Sequence, residues 1–459
     1  MTPPSPSPSP SSSIDRLTTL TSHLSPSMAA STSFPSQDVP LAPEDALFGL
    51  ARAFKADASL LKVDLVSWTN ARLHNYKDAA DASKGIGAYR DNNAKPWVLP
   101  VVKMADEILR KNPHLDHEYA PIAGLPQFTS KALELMIGTT SPALREKRTA
   151  SLQTISGTGA VHLGALFLAK FYKGNRTVYL SDPTWANHKQ IFSNVGLDTV
   201  PYPYFSKFTN GLDFDGMYST IEGAPDRSII LLHPCAHNPT GVDPTMDQWT
   251  KLADLMRRKN HFPFFDCAYQ GFASGDLARD AAAIRYFVDQ QFELLICQSF
   301  AKNFGLYGER AGCFHFITSP APDASDTVSR IASQLAILQR SEISNPPLYG
   351  ARIASTVLND PALFSEWEEN LRTMSGRIIE MRKELRSRLE KDAPGAWKHI
   401  TDQIGMFSFT GLTEAQVQKL RQDHHIYMTK NGRISMAGLN THNIDHVAQS
   451  IRKVVAETK

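Results

Sequence analysis

The chain reads Ser299-Phe-Ala-Lys302-Asn-Phe-Gly-Leu-Tyr-Gly-Glu-Arg310 directly after the apolar run Leu294–Cys297. A lysine is normally a solvated surface group, but Lys302 stands among small and aromatic residues at the end of a predicted buried strand. Burial disfavours an ammonium and leaves the amine able to form a Schiff base. The hydroxyl of Ser299 and the guanidinium of Arg310 are groups that bind phosphate. The stretch therefore predicts a site for a phosphorylated aldehyde.

Around this stretch, short apolar runs alternate with helical segments such as Gln248–Lys259. The runs are Thr177–Leu180, Ser228–Leu232, Phe262–Phe265 and Glu293–Ile296. This alternation is typical of βαβ units, so we predict an α/β fold with a mostly parallel sheet.

The pattern of alternating strands and helices ends at about residue 362, and a long amphipathic helix is predicted over Trp367–Lys391. Short predicted strands and one more helix follow: Gly405–Leu412, Ile426–Thr429, Arg433–Met436 and His446–Val455. We interpret this part as a second, smaller α+β domain.

A carboxylate follows one of the apolar runs, in Phe264-Phe-Asp266-Cys-Ala-Tyr269-Gln-Gly271. Ligands of α/β folds bind at the carboxyl ends of strands. Asp266 there either caps the next helix or pairs with a protonated pyridine nitrogen, which keeps the ring electron-accepting. Tyr269 is placed to reach a phenolic oxygen on the same ring.

Two further turns follow predicted strands. His237-Asn238-Pro-Thr-Gly241 is a turn in which Asn238 can also hydrogen-bond a phenolate oxygen. Ser156-Gly157-Thr158-Gly-Ala160 resembles a glycine-rich phosphate loop that opens a helix, although His162 replaces the third glycine of a dinucleotide fingerprint.

An indole and an imidazole lie close together in Asp182-Pro-Thr-Trp185-Ala-Asn-His188. Trp185 is either a core residue or a stacking partner for a flat cofactor. His188 is placed to support Asp266 from behind.

Composition excludes several classes of function. A formal net charge of +2 without long basic runs gives no electrostatic reason to expect nucleic acid or an anionic membrane as partner. No apolar run approaches the roughly 20 residues of a membrane span. The four cysteines form no Cys-x-x-Cys pair, so we expect buried free thiols and no metal.

Residues 1–40 are rich in Ser and Pro, and we expect a disordered leader. They contain one arginine, Arg16, and two acids, Asp15 and Asp38, whereas a mitochondrial presequence is rich in arginine and poor in acids. Met28 offers an alternative start. We expect the cytoplasm in preference to the mitochondrion.

Taken in order, these stretches resemble the aspartate aminotransferases of the class I, fold-type I pyridoxal-phosphate enzymes. Phe264–Gly275 and Gly432–Asn440 are similar to the eukaryotic members in particular. The resemblance implies a large domain over residues 97–362, with a seven-stranded sheet flanked by helices. It also implies a small C-terminal domain over residues 363–459, and an N-terminal arm with part of the small domain over residues 41–96.

The resemblance implies a role for each residue toward the cofactor, pyridoxal 5′-phosphate. Lys302 would carry it as a Schiff base and move the substrate proton, Asp266 would hold the ring nitrogen, and Tyr269 and Asn238 the ring oxygen. Trp185 would stack on the ring, with His188 behind Asp266. The phosphate would be bound by Ser156, Gly157, Thr158, Ser299, Arg310 and, from a neighbouring subunit, Tyr119.

For substrates, the resemblance implies amino acids and 2-oxo acids. Arg433 would bind the α-carboxylate and Arg340 the distal carboxylate of the partner's substrate, with Gly87, Trp185 and Asn238 also near the substrate. Shared sites of this kind imply a homodimer. Glu342, close to Arg340, is unusual for the family, so an aromatic or broader substrate range stays open as one alternative. An inactive protein that keeps the fold for binding is a second alternative, if an insertion at residues 66–84 is real and disrupts the site.

The resemblance is interrupted between Leu65 and Gly85. Removing Val66–Lys84, 19 residues, makes the match continuous. One hypothesis is a surface insertion, which a loop tolerates. The other, which we favour, is a retained intron, because 19 codons keep the frame and the ends of the segment can be encoded by splice-site sequences. The insertion precedes Gly87 and would bear on closure of the small domain.

Overall fold

The computed structural model describes residues 46–66, 88–391 and 394–458. The predicted leader 1–40 lies outside these residues, as do Gly87 and nearly all of the 66–84 segment, of which only Val66 is described. Ala46–Lys459 form one unit. The division at residue 362 therefore stays a prediction.

The strands are numbered β1 to β13 in chain order. They span Val63–Asp64, Thr149–Ile155, Val178–Asp182, Thr199–Pro203, Phe205–Ser206, Gly211–Leu212, Ile229–Leu232, Phe262–Cys267, Leu294–Ser299, Ala311–Ile317, Phe407–Phe409, Ile426–Tyr427 and Arg433–Ser435.

The described α-helices, α1 to α16, surround these strands. They span Ala46–Ala56, Pro100–Lys111, Pro126–Ile137, Pro142–Arg145, Ser156–Phe171, Asn187–Asn194, Phe214–Gly223, Met246–Arg258, Leu277–Asp280, Ala282–Asp289, Ala324–Ile343, Tyr349–Asn359, Pro361–Leu389, His399–Asp402, Glu414–His424 and Ile444–Glu457.

Seven strands form the main sheet in the order β2-β10-β9-β8-β7-β3-β4. The pairs from β9 to β4 are parallel, and β10 runs antiparallel to both of its neighbours. The predicted α/β fold with a mostly parallel sheet of seven strands is confirmed. Strands β2, β4 and β10 were not among the predicted runs, because they carry Gln, His, Pro and Gly within their apolar residues.

Burial on both faces explains why the central strands are apolar along most of their length. Every residue of β7, β8 and β9 is buried. One face packs with α8 and α10, where Trp249 and Phe287 meet Phe265. The other face packs under α5, where Gly164 is required because a Cβ there would lie 2.8 Å from Phe264.

The C-terminal part pairs two short strands, β11 and β13, beside the long helix α13. The predicted strand Gly405–Leu412 is shorter than expected, since only Phe407–Phe409 is extended. Gly405 and Gly411 both have positive φ and end the strand on either side. Near them, β1 pairs in parallel with β12.

Among the described residues, no helix is both long enough and apolar enough to cross a lipid bilayer. All four cysteines, Cys235, Cys267, Cys297 and Cys313, are free and buried, as the sequence predicted.

Candidate active site

A pocket of about 260 Å³ opens at the carboxyl ends of the central strands. Most of the predicted site residues line it: Ser156, Gly157, Thr158, Trp185, Asn238, Asp266, Tyr269, Ser299, Lys302, Arg310 and Arg433. They come from distant parts of the chain, and the sheet brings them together because parallel strands end at the same edge.

Asp266 lies near the carboxyl end of β8 and forms the floor of the pocket. Its Oδ2 lies 2.9 Å from Nε2 of the fully buried His188, whose Nδ1 lies 2.8 Å from the Thr184 hydroxyl. Burial raises the pKa of Asp266, but the hydrogen bond from His188 and the electrostatic contributions of His188 and Lys302 outweigh it and lower that pKa. Asp266 is therefore held as a carboxylate.

Lys302 follows β9 and lines the same pocket. Its Nζ lies 5.2 Å from the centroid of the Tyr269 ring. Burial lowers the pKa of Lys302, Asp266 partly opposes this, and Arg310 lowers it further. This direction favours the neutral amine that Schiff-base formation requires, and the burial of Lys302 is what its sequence surroundings predicted.

The opposite end of the pocket presents hydroxyls and a guanidinium at the start of a helix. Helix α5 begins at Ser156, whose hydroxyl lies 3.2 Å from that of Ser299. Ser156 and Arg310 both have left-handed φ, 57° and 55°, and Ser156 N–H donates to the Arg310 carbonyl. Non-glycine residues rarely adopt this conformation, and such strain concentrates at functional sites. Together with the free N–H groups of the helix, this end fits a phosphate.

The residues that line the pocket can be compared with the chemical groups of pyridoxal phosphate. A Cβ added to Gly157 would lie 3.0 Å from Ser299 Cβ, so glycine allows Ser299 to approach the first turn of α5 closely. A buried carboxylate stands at the ring-nitrogen end, Lys302 is available for the aldehyde, and Trp185 is available for the ring face. The residues present fit the group.

Two predicted residues lie away from this pocket, and a third is not among the described residues. Tyr119 is 88% exposed, and Arg340 is exposed near the end of α11; neither lines this pocket. Gly87 lies outside the described residues. Glu342, noted as unusual, lies 3.2 Å from His162 and lines a neighbouring cavity together with Arg310.

Several residues of the site were not predicted from the sequence. His233 is buried beside Asp266, with 3.8 Å between Nε2 and Oδ2, and its ring nitrogens have no hydrogen-bond partner within the described part of the chain. Burial lowers the pKa of His233 to about 3, so the ring is neutral. The available signal was its position at the end of the apolar run that precedes Asn238. Cys235 and Phe407 also line the pocket.

His188, His233 and Asp266 offer ligand atoms within 4.8 Å of one another, a spacing that suits a metal ion. The hydrogen bond between His188 and Asp266 already uses the atoms that would face the ion. We therefore interpret the cluster as support for the carboxylate.

Comparisons with known proteins identify the family of the chain. The family described as "Aminotransferase class I and II" matches residues 85–451. The cytoplasmic aspartate aminotransferase of Schizosaccharomyces pombe is 51% identical over 399 residues, which are 86% of this chain and 97% of that protein.

Two solved structures are also similar. The aspartate aminotransferase from Saccharomyces cerevisiae cytoplasm has a TM-score of 0.85 at 46% identity and covers 93% of this chain and 100% of its own. The aromatic-amino-acid aminotransferase from Burkholderia pseudomallei, covalently bound to pyridoxal phosphate, has a TM-score of 0.84 at 37% identity and covers 92% and 100%. This chain belongs to the aminotransferase class I and II family.

Proposed function

We propose that the enzyme is an aspartate aminotransferase, which transfers the amino group of L-aspartate to 2-oxoglutarate and gives oxaloacetate and L-glutamate. The observation that carries the proposal is the pocket itself, which is lined by a buried amine, a buried carboxylate, hydroxyls and a guanidinium that suit a phosphate, and by Arg433. The cofactor is pyridoxal phosphate, which the Burkholderia relative carries covalently.

When bound, pyridoxal phosphate supplies an electron-accepting ring that stabilises negative charge on the substrate Cα. Asp266 would hold the ring nitrogen protonated, because a buried carboxylate whose pKa is lowered favours a cation beside it. His188 holds Asp266 in place by its hydrogen bond. Tyr269 and Asn238 would bind the ring oxygen, and Trp185 would lie against the ring face.

Ser156, Gly157, Thr158, Ser299 and Arg310 would bind the phosphate. Arg310 supplies charge, and the helix N-terminus supplies N–H donors. Lys302 would act as the general base once substrate has displaced it, since a buried amine with a lowered pKa can take a proton from Cα and return it.

Arg433 would bind the α-carboxylate of the substrate in a planar, bidentate contact that lysine cannot reproduce. Arg340 and Tyr119 do not line the pocket of their own chain. We propose that both serve the site of a second copy in a homodimer, Arg340 at the distal carboxylate and Tyr119 at the phosphate. Gly87 would lie near the substrate carboxylate.

The test of the activity uses the purified full chain with added pyridoxal phosphate. We expect a visible absorbance band from the lysine-bound cofactor and transamination of L-aspartate with 2-oxoglutarate. Lys302→Ala should lose both, while Lys251→Ala, an exposed lysine on α8, should keep them. A wild-type chain that forms the band but transfers no amino group from aspartate would reject the substrate.

The shared site is tested by coexpressing Lys302→Ala and Arg340→Ala chains. Each homodimer lacks one essential group in both sites, but a hybrid has one complete site if Arg340 acts across the interface. Random pairing would then restore about a quarter of the wild-type activity. If Arg340 serves its own chain, the hybrid has no complete site and activity stays near zero.

We further propose that Val66–Lys84 is a retained intron. The family match begins at Gly85, directly after this segment, and Leu65 is fixed before it by a hydrogen bond from Ser435 N–H. Sequencing the mature transcript decides between the two hypotheses, since a message that contains these codons rejects the intron. Comparing aspartate transamination with and without the segment then shows whether it impairs the site.

We propose a cytoplasmic location, in line with the leader composition and with the cytoplasmic relative. Fluorescent fusions of the full chain and of a chain that begins at Met28 should give the same diffuse signal. Mitochondrial signal from the full chain alone would reject the proposal.

A further inference from the structure

The long helix α13 carries an arginine that is buried without an acidic partner in the described chain. Arg382 is 2% exposed. Its Nη1 donates to the carbonyl of Ile400 at 2.8 Å, and its Nη2 donates to the carbonyls of Gly405 at 2.9 Å and Phe407 at 2.5 Å. A buried cation is unfavourable unless dipoles or charges compensate it, so these three carbonyls form the compensating shell.

The segment held by Arg382 packs against the turn that contains Asn238. Ile404 N–H donates to the Gly241 carbonyl at 2.7 Å. A Cβ on Gly241 would lie 2.6 Å from the Phe407 carbonyl oxygen, so the two backbones touch. The segment therefore has little freedom to move between Arg382 on one side and the turn on the other.

Phe407, at the end of this segment, is in turn a support for Arg433. Phe407 lines the pocket, and the guanidinium carbon of Arg433 lies 4.7 Å from the centroid of its ring. The ring and the guanidinium lie on the same face of the two-stranded sheet that β11 and β13 form. Phe407 pairs with Ser435 in this sheet, and Arg433, two residues before Ser435, is the diagonal neighbour of Phe407. A guanidinium stacked on an aromatic ring keeps a defined plane.

We infer that Arg382 is a positioning residue for the substrate: by holding the Phe407 backbone, it fixes the ring against which Arg433 presents its guanidinium to the α-carboxylate. The inference rests on the proposed function of Arg433. Bidentate binding requires the guanidinium plane and the carboxylate plane to coincide, so a small shift of Phe407 weakens substrate binding.

The principal test is Arg382→Lys in the full-length holoenzyme. The ammonium keeps the charge but lacks the fork that reaches separate carbonyls. We expect KM for L-aspartate to rise about tenfold, with a smaller change in kcat, because a modest misplacement of a binding group costs this order of affinity. The affinity for pyridoxal phosphate, measured by titrating its absorbance, should stay unchanged.

The matched control is Arg386→Lys, one turn further along α13. Arg386 is half-buried and bonds Glu390 and the Thr401 hydroxyl instead of Phe407. Its KM should equal that of the wild type. An unchanged KM in folded Arg382→Lys would overturn the inference.

Two more variants keep the result interpretable. If Arg382→Lys does not fold, the variant Phe407→Leu decides. It removes the aromatic ring beside Arg433 and should raise KM for L-aspartate by a similar factor. An unchanged KM in Phe407→Leu would reject the inference. Arg433→Lys shows how far KM for L-aspartate rises when the proposed carboxylate-binding group itself is altered. A normal KM in Arg433→Lys would reject its proposed role and with it this inference, whereas a raised KM only in Arg433→Lys would reject the inference alone.

Discussion

His188 and Asp266 are joined by a buried hydrogen bond of 2.9 Å between Nε2 and Oδ2. The other ring nitrogen, Nδ1, lies 2.8 Å from the Thr184 hydroxyl, so the ring is fixed at both ends. This contact links the first turn of α6 to the end of β8, and it lowers the pKa of the carboxylate in the pocket.

Replacing His188 by Phe should raise the pKa of Asp266, because burial would then be opposed only by more distant charges. The carboxylate would be protonated as the pH falls through this higher pKa. We expect kcat to fall about tenfold for each unit by which the pKa exceeds the pH, with the loss greatest at acidic pH. Measuring kcat between pH 5 and 8.5 checks this. His114→Phe, at an exposed position, is the control.

The buried carboxylate of Asp280 should lower the free energy of unfolding at neutral pH, although it also binds the backbone of the loop that contains Gly271 and Ser274. Its Oδ2 accepts N–H groups of Gly271 at 2.8 Å and Ser274 at 3.2 Å. Burial raises the pKa of Asp280 to about 6, against the partial opposition of these hydrogen bonds. An acid with a raised folded pKa destabilises the fold as pH rises from about 4 to about 6, and the effect is constant above that.

Asp280→Asn keeps an acceptor oxygen without the charge. We expect it to stabilise the protein by up to about 3 kcal/mol at pH 7 and by nothing at pH 4, since one pKa unit corresponds to about 1.4 kcal/mol. Urea unfolding at both pH values measures the difference. The exposed Asp254→Asn should show no such dependence, and a gain equal at both pH values would contradict the explanation.

Arg340→Ala should separate the substrate classes. If Arg340 binds the distal carboxylate, the variant should lose about 10²-fold or more in kcat/KM for aspartate and keep its rate with phenylalanine, because only the dicarboxylate leaves a charge unpaired. Arg330→Ala, on the same helix and paired with Asp326, is the control. Equal losses for both substrates would favour the aromatic or broader range.

Gly241 should tolerate no side chain. It has φ of 68°, and a Cβ would lie 2.6 Å from the Phe407 carbonyl oxygen and 2.7 Å from that of Ile404. We expect Gly241→Ala to destabilise the protein by more than about 1 kcal/mol. Gly376→Ala, inside α13 with open space around it, should stabilise by about 0.5–1 kcal/mol. Melting temperatures of the two variants should therefore move in opposite directions.

The sequence alone determined four strands of the central sheet, β3, β7, β8 and β9, and the residue types that line the pocket. Continuous apolar runs such as Phe262–Phe265, bounded by turn residues, are typical of the buried strands of a covered sheet, and Asp266 and Lys302 lie at or shortly after the ends of such strands. Local patterns of this kind predict which side chains lie at the end of a strand. They predicted Trp185, Asn238 and Arg310 at the pocket as well.

Only the tertiary structure decided which distant residues support these groups. Arg382 and Phe407 carry no local sign of a role, and His233 carries only its position at the end of an apolar run, because each acts through a residue that is far away in sequence. Whether a buried histidine contacts a carboxylate, or a buried arginine a carbonyl, depends on how the strands and helices pack. These contacts depend on the tertiary packing of segments that are distant in sequence, and no short stretch of sequence specifies that packing.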